Sequence, residues 1–225
     1  MKKIIFLCLF CYAYSANAQT NAIELYKTIV QDFLDKETLA YQATYLYYEN
    51  LEATSPSHEM TMQTWKQGEQ QYTTFDTYEI FQQDAQMVYI SHQDKTIQVL
   101  DNQEGTNPLQ IQQFLKFVEL YELEASQYQT TEGLAGIRFA AAAPSKMKMD
   151  LEYDSTTGLL NRMLAVYDFS KEEGAQYEFD QTKIEIQFSN IQLDNFSIPK
   201  KKDELLTVSG AQVMGKGKYK GYQVY

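Results

Sequence analysis

Lys146-Met147-Lys148-Met149-Asp150-Leu151-Glu152-Tyr153 alternates charged and apolar residues without a fault. A period of two belongs to a β-strand, whose successive side chains point to opposite sides of the sheet. The stretch has one apolar face, Met147, Met149, Leu151 and Tyr153, and one charged face. Weaker copies of the pattern recur from Leu39 to Leu193, and the apolar position is often Met, Tyr or Phe. The pattern predicts a long antiparallel sheet with one soft apolar concavity.

Outward from that strand, the period changes twice. Asn21 and Glu24 have the spacing of a capping box, and Ile23, Tyr26, Val30 and Phe33 share one helical face, which predicts a helix over 21–36. Leu39, Tyr41, Ala43, Tyr45 and Tyr47 then share a strand face. Further strands are predicted at His58–Lys66, with Met60 and Met62, and at Gln71–Thr77. Met87–Ser91 and Thr96–Asp101 read as a hairpin. Asn107 and Pro108 suit a helix start, and Ile111, Phe114, Leu115 and Val118 keep helical spacing. Strands resume at Glu122–Gln129, Ile137–Ala142, Lys146–Asp154, Leu159–Phe169 and Gln176–Leu193. In the last of these the apolar phase flips between Phe188 and Ile191, which predicts a bulge or a break. The expected fold is α+β: a strongly curved antiparallel sheet, an open half-barrel of about 10–11 strands, with helices covering its concave side.

Composition bounds the rest. Lys2 and Lys3, the apolar run Ile4–Tyr14 and the small residues Ala16-Asn17-Ala18 read as a cleavable export signal over 1–18. Cys8 and Cys11 both lie inside it, so the mature chain has neither thiol nor disulfide. The formal charge is −11, and −13 without Lys2 and Lys3, which argues against nucleic acid as a partner. No later stretch is long and apolar enough to span a bilayer. Residues 19–198 form the expected domain. Residues 199–225 are a basic tail whose six lysines face only Asp203 and Glu204, a net +4 that leaves −17 on the remainder. The tail can be inert, fold back on the acidic body, or dock on an anionic surface or an envelope protein partner. Its Tyr219, Tyr222 and Tyr225 suit an extended segment added to a sheet edge.

The leading helix, the tyrosine-rich strand Tyr41–Tyr48, the helix Pro108–Tyr121 and the strand pair Lys146–Phe169 together resemble the periplasmic lipoprotein carriers LolA and LolB. The resemblance covers about residues 21–195. It implies an exported half-barrel whose helices plug the mouth, and a non-enzymatic carrier or chaperone for a lipid or lipoprotein acyl chain. The alternative is an accessory subunit of an envelope or secretion assembly, with the same fold and a filled core. These carriers look to an arginine on an early strand to hold the helical lid closed. Here the only arginines are Arg138 and Arg162, in the second half, so that latch is carried over to no residue.

Catalytic chemistry finds little support. His58 and His92 lie in no nucleophile or metal spacing, and Glu172-Glu173 reads as a solvated turn pair. Asp101–Gly105 lacks the alternating carboxylates of a calcium loop. No cofactor is implied. The candidate site is the apolar strand face: Tyr41, Tyr45, Met60, Met62, Met87, Phe114, Met147, Met149, Leu151 and Met163 are expected to line an acyl-chain cavity. Methionine, unbranched and adaptable, suits irregular apolar partners, and it also fills ordinary cores. The expected location is the periplasm, with secretion as the alternative.

Overall fold

The computed structural model describes residues 21–83, 86–101, 111–143, 145–168, 181–209 and 212–225. The export signal, residues 102–105, the helix start at Asn107-Pro108 and the Glu172-Glu173 turn lie outside the described residues. Helix α1 occupies residues 21–34. Six strands follow: β1 (Thr38–Tyr48), β2 (His58–Gln67), β3 (Gln70–Thr74), β4 (Tyr78–Gln83), β5 (Gln86–Ser91) and β6 (Thr96–Asp101). Helix α2 (Ile111–Leu120) precedes β7 (Glu124–Gln129), β8 (Ala135–Ala140), β9 (Lys148–Tyr153), β10 (Leu160–Asp168) and β11 (Gln181–Gln192). The C-terminal segment adds α3 (Lys202–Leu205), a β12–β13 pair (Leu206–Ser209 with Gln212–Gly215), a 3-10 turn at Gly217–Tyr219 and β14 (Gln223–Val224).

One sheet of 12 strands runs in the order β14-β6-β5-β4-β3-β2-β1-β11-β10-β9-β8-β7. Neighbours from β2 to β6 and from β7 to β11 are antiparallel. Strand β14 lies parallel to β6, so the sheet is mixed rather than purely antiparallel, and it is not closed into a barrel. The sequence pattern did not anticipate β4. Its Tyr78-Glu79-Ile80-Phe81 run places a carboxylate where alternation calls for an apolar residue. The phase flip in β11 falls at Asn190, whose left-handed φ of 53° lets the strand continue through Gln192 on the opposite phase.

The chain divides into two compact units. The first runs through Asp35, Leu46–His58 and Pro108–Gln187, the second through Lys36–Tyr45, Glu59–Asn107 and Phe188–Tyr225. In the first, register aligns Phe139, Met149, Ala165 and Ile184 across β8–β11, and Ile137, Leu151, Met163 and Ile186 beside them. Ala22, Tyr26, Val30 and Phe33 are the buried stripe of α1. Tyr26, Phe114 of α2 and Phe139 form an aromatic trio with ring centroids 4.6 to 5.4 Å apart, which fixes both helices to the sheet.

The opposite face of β8–β11 carries the charged half of the alternation, and it is not simply wet. Asp150 is only 3% exposed and is held by Arg138 through Nε (2.6 Å) and Nη2 (2.9 Å). Arg162 pairs with Glu152 and with Glu185, each at 3.0 Å. The Tyr128 hydroxyl donates to Glu152, and the Arg138 guanidinium stands 5.0 Å from the Tyr128 ring centroid. That ring lies on Gly136, its cross-strand partner, so closely that a Cβ there would be 2.3 Å from the ring.

Because its hydroxyl and its face are both engaged, the Tyr128 ring cannot step aside freely. Gly136→Ala is expected to cost about 1–3 kcal/mol in thermal or urea unfolding. In a Tyr128→Ala background the same change should cost markedly less. Equal costs in the two backgrounds would show that the ring is not the obstacle.

Candidate functional site

The residues expected to line a cavity fall in both units. Phe114, Met147, Met149, Leu151 and Met163 belong to the first, and Tyr41, Tyr45, Met60, Met62 and Met87 to the second. Met149, Leu151 and Met163 are buried on the sheet face that carries Phe139, and Phe114 is in the aromatic trio. The Tyr41 and Phe188 rings meet at a tilt, with centroids 6.0 Å apart. Through the β2–β5 register, Met60, Met62 and Met87 share one sheet face with Thr64, Thr73 and Tyr89. The main apolar cluster of this unit, Tyr72, Phe81, Val88, Ile90 and Ile97, lies on the other face.

A pocket of about 380 Å³ opens in the first unit. Its walls are Leu51, Ala140, Ala141, Met147 and Val166, and its rim holds Glu52, Ser145, Lys146 and Lys148. Ala140, Lys148 and Val166 are register partners on the charged face of β8–β10, so the pocket opens on the side opposite Met149 and Leu151. Of the expected lining, Met147 alone reaches it. Lys146 pairs with Glu52 at 2.9 Å across the rim, both well exposed. Such a pair is worth about 0–1 kcal/mol, so it opens at little cost.

The densest polar constellation lies in the second unit and centres on Glu79. Strand β4 places this side chain on the apolar face, one residue pair from Phe81 and opposite Ile90, with only 5% of it exposed. Five donors meet it. Tyr72, Lys200 and Tyr219 each bond Oε2 at 2.6 Å. Lys218 bonds Oε1 at 2.7 Å, and His92 Nε2 lies 2.8 Å from the same oxygen. The other ring nitrogen of His92 is 3.1 Å from the Tyr222 hydroxyl.

Burial alone would raise the proton affinity of Glu79. The bonds from Lys200, Lys218, Tyr219 and Tyr72 outweigh it and hold the carboxyl well below the usual range. Burial and the facing carboxylate push the hydroxyls of Tyr72 and Tyr219 well up. Burial lowers Lys200, against the pull of Glu79. A carboxylate held this low takes no proton near neutral pH, so Glu79 is a fixed charge rather than an acid or base. Among the described residues no three His, Cys, Asp or Glu side chains converge as a metal site.

The described residues of 199–225 pack within their own unit around this charge. Leu205, Leu206 and Tyr219 are buried in the Tyr72–Ile97 cluster, and Ile198, Tyr222 and Val224 pack beside it. At the β6 edge the Val99 amide donates to the Tyr225 carbonyl (3.1 Å) and the Tyr225 amide to the Ile97 carbonyl (2.9 Å). The sequence signal for this arrangement was the interleaving of tyrosine and lysine near the C-terminus. What it lacked was the lone carboxylate that those lysines meet.

No protein-family model and no curated protein matches the chain. Among solved structures it is similar to a conserved uncharacterized protein from Thermus thermophilus, with TM-score 0.47, 8% identity, and 88% of this chain against 97% of that one. It is also similar to the Pseudomonas aeruginosa MucA/MucB complex structure, with TM-score 0.38, 16% identity, and 87% against 63%. A third is a domain assigned as an outer membrane lipoprotein-sorting protein from Vibrio parahaemolyticus, with TM-score 0.30, 11% identity, and 79% against 94%.

Glu79 makes a signed pH prediction. Its folded-state affinity for a proton is depressed, so it stabilises the fold above the ordinary carboxylate value, near about 4.3. That contribution is lost as pH falls from there toward the folded-state value. Glu79→Gln should cost about 3 kcal/mol at pH near 7 by urea unfolding. The gap between wild type and variant should narrow steadily below about pH 4.5. A gap that stays constant into acid would mean the charge is not what stabilises.

Proposed function

We propose that the protein is an exported, envelope-side carrier that holds the acyl chain of a lipid or lipoprotein, with no chemistry of its own. The observation that carries this reading is the pocket of the first unit, with an apolar wall of Leu51, Ala140, Ala141, Met147 and Val166 and a rim bearing two lysines. Its volume lies at the small end of the roughly 300–1,000 Å³ typical of ligand sites. Each buried methylene contributes roughly 0.8 kcal/mol, so a short acyl segment suffices for useful binding. Lys146 and Lys148 suit a carboxylate or phosphate head at the mouth. In this reading α1 and α2 cover the concave side of a half-barrel, as in the carriers the sequence resembles. The periplasm is then the place of work. No helix among the described residues is long and apolar enough to cross a membrane.

The ligand then belongs to the pocket rather than to the Met149–Leu151 face, where Tyr26 and Phe114 of the two helices pack against Phe139. A dansyl-labelled undecanoic acid should bind the intact protein with a blue-shifted emission. Ala141→Trp, which fills the pocket without adding charge, should reduce affinity at least about tenfold with an unchanged melting temperature. Lys146→Glu should weaken binding less, and chiefly at low salt. No binding, or binding indifferent to Ala141→Trp, rules the pocket out as the acyl site.

A further inference from the structure

The face of β3–β6 in the second unit carries Tyr72, Phe81, Val88, Ile90 and Ile97, with one carboxylate, Glu79, set among them. A permanent cover for such a face needs no charge. Replacing a buried ion pair with apolar groups of similar size is often neutral or stabilising, and a retained pair can instead serve specificity. The carboxylate therefore restricts which segment can lie on the face. The segment must bring ammonium and hydroxyl donors to one point and apolar side chains around it. Residues 199–225 do this with Lys200, Lys218 and Tyr219 at the charge and Leu205 and Leu206 beside it.

We propose that the face around Glu79 is a docking surface for a lysine- and tyrosine-bearing segment of a partner protein, and that residues 199–225 occupy it as a built-in competitor. The proposal goes beyond the acyl-carrier reading and concerns the second unit alone. Charge complementarity supports the choice of partner. The tail carries +4, and the rest of the second unit sets three lysines against ten Asp and Glu residues, a net −7, so a basic segment is attracted to that unit. The closure is also built from parts that can exchange. Strand β14 and Tyr225 bond the β6 edge over just three residues, Gln223 to Tyr225, and the Lys218 side chain is 58% exposed. His92 and Lys200 are 28% and 26% exposed, so water and a competing segment reach the rim of the clasp. Added strand pairing at a sheet edge is an established way for proteins to capture extended segments. A tethered tail acts at an effective concentration of about the millimolar range, so it holds the surface until a partner binds more tightly.

The test uses the full-length chain and a fluorescent peptide of its residues 199–225 as the probe, read by anisotropy. The intact protein should capture the peptide weakly, because its own tail competes. Lys200→Met with Lys218→Met weakens the resident tail and should raise capture about tenfold. Adding Glu79→Gln to that variant should abolish it. Hydrogen exchange at Val99 and Tyr225 should speed up in the double variant while β8–β10 stay protected. Lys218→Met alone should shift capture in the same direction by about threefold, which keeps the test decisive if the double variant does not fold. Capture that ignores Glu79→Gln, no gain in either lysine variant, or unchanged exchange at Val99 and Tyr225 overturns the proposal. A two-chain species of the intact protein that Glu79→Gln dissolves would assign the surface to a second copy and overturn the partner reading.

Discussion

A carboxylate placed on an apolar sheet face must be answered by donors or left to water. Much of the second unit is arranged as the answer to Glu79. Tyr72 reaches it from the neighbouring strand, His92 from the hairpin after β5, and Lys200, Lys218 and Tyr219 from the far end of the chain. Apolar contacts accompany the polar ones: Leu205 and Leu206 of the same segment are buried in the Tyr72–Ile97 cluster. The same rule operates in the first unit by other means. There the buried Asp150 is met by Arg138, and Arg162 stands between Glu152 and Glu185. Charges removed from water cost several kcal/mol unless paired, and both units pair them fully among the described side chains.

The positions of most strands along the chain could be read from its periodicity because most strands bury at least one face. The alternation at 146–153 became β9, with Met149, Leu151 and Tyr153 buried as read. Its charged side was less predictable, since a sequence shows that Asp150 is charged but not that Arg138 stands opposite. Strand β4 was missed for the same reason: Glu79 occupies an inward position, and three of its five partners lie 121 to 140 residues later, beyond any local window. The methionine signal was also ambiguous by nature. Met60, Met62 and Met87 do share a face, yet the tightest apolar cluster of that unit is built from Tyr72, Phe81, Val88, Ile90 and Ile97 on the other. Both faces of a sheet covered on each side carry apolar residues, and alternation alone does not rank them.

The pocket of the first unit and the Glu79 face of the second have opposite properties. The pocket beside Met147 has an exposed ion pair at its rim and room behind it, which suits a flexible apolar ligand of loose shape. The Glu79 face instead gathers five donors on one buried carboxylate, a strict requirement that suits a peptide of defined sequence. A protein can offer both, because affinity for an acyl chain comes from area and selectivity for a peptide from the cost of leaving a charge unmet.

The sequence distance across the clasp has a kinetic consequence. Lys218 lies 139 residues after Glu79, so strands β3–β6 are synthesised long before the groups that neutralise their central charge. Until then their apolar face is open to other chains. Contacts of such long separation pay their loop-closure entropy before they return any stability. The second unit therefore closes late, when the C-terminal residues arrive, while the hairpins of β7–β10 can form from near neighbours. A cell making this protein in quantity would need to shield that one face during the interval.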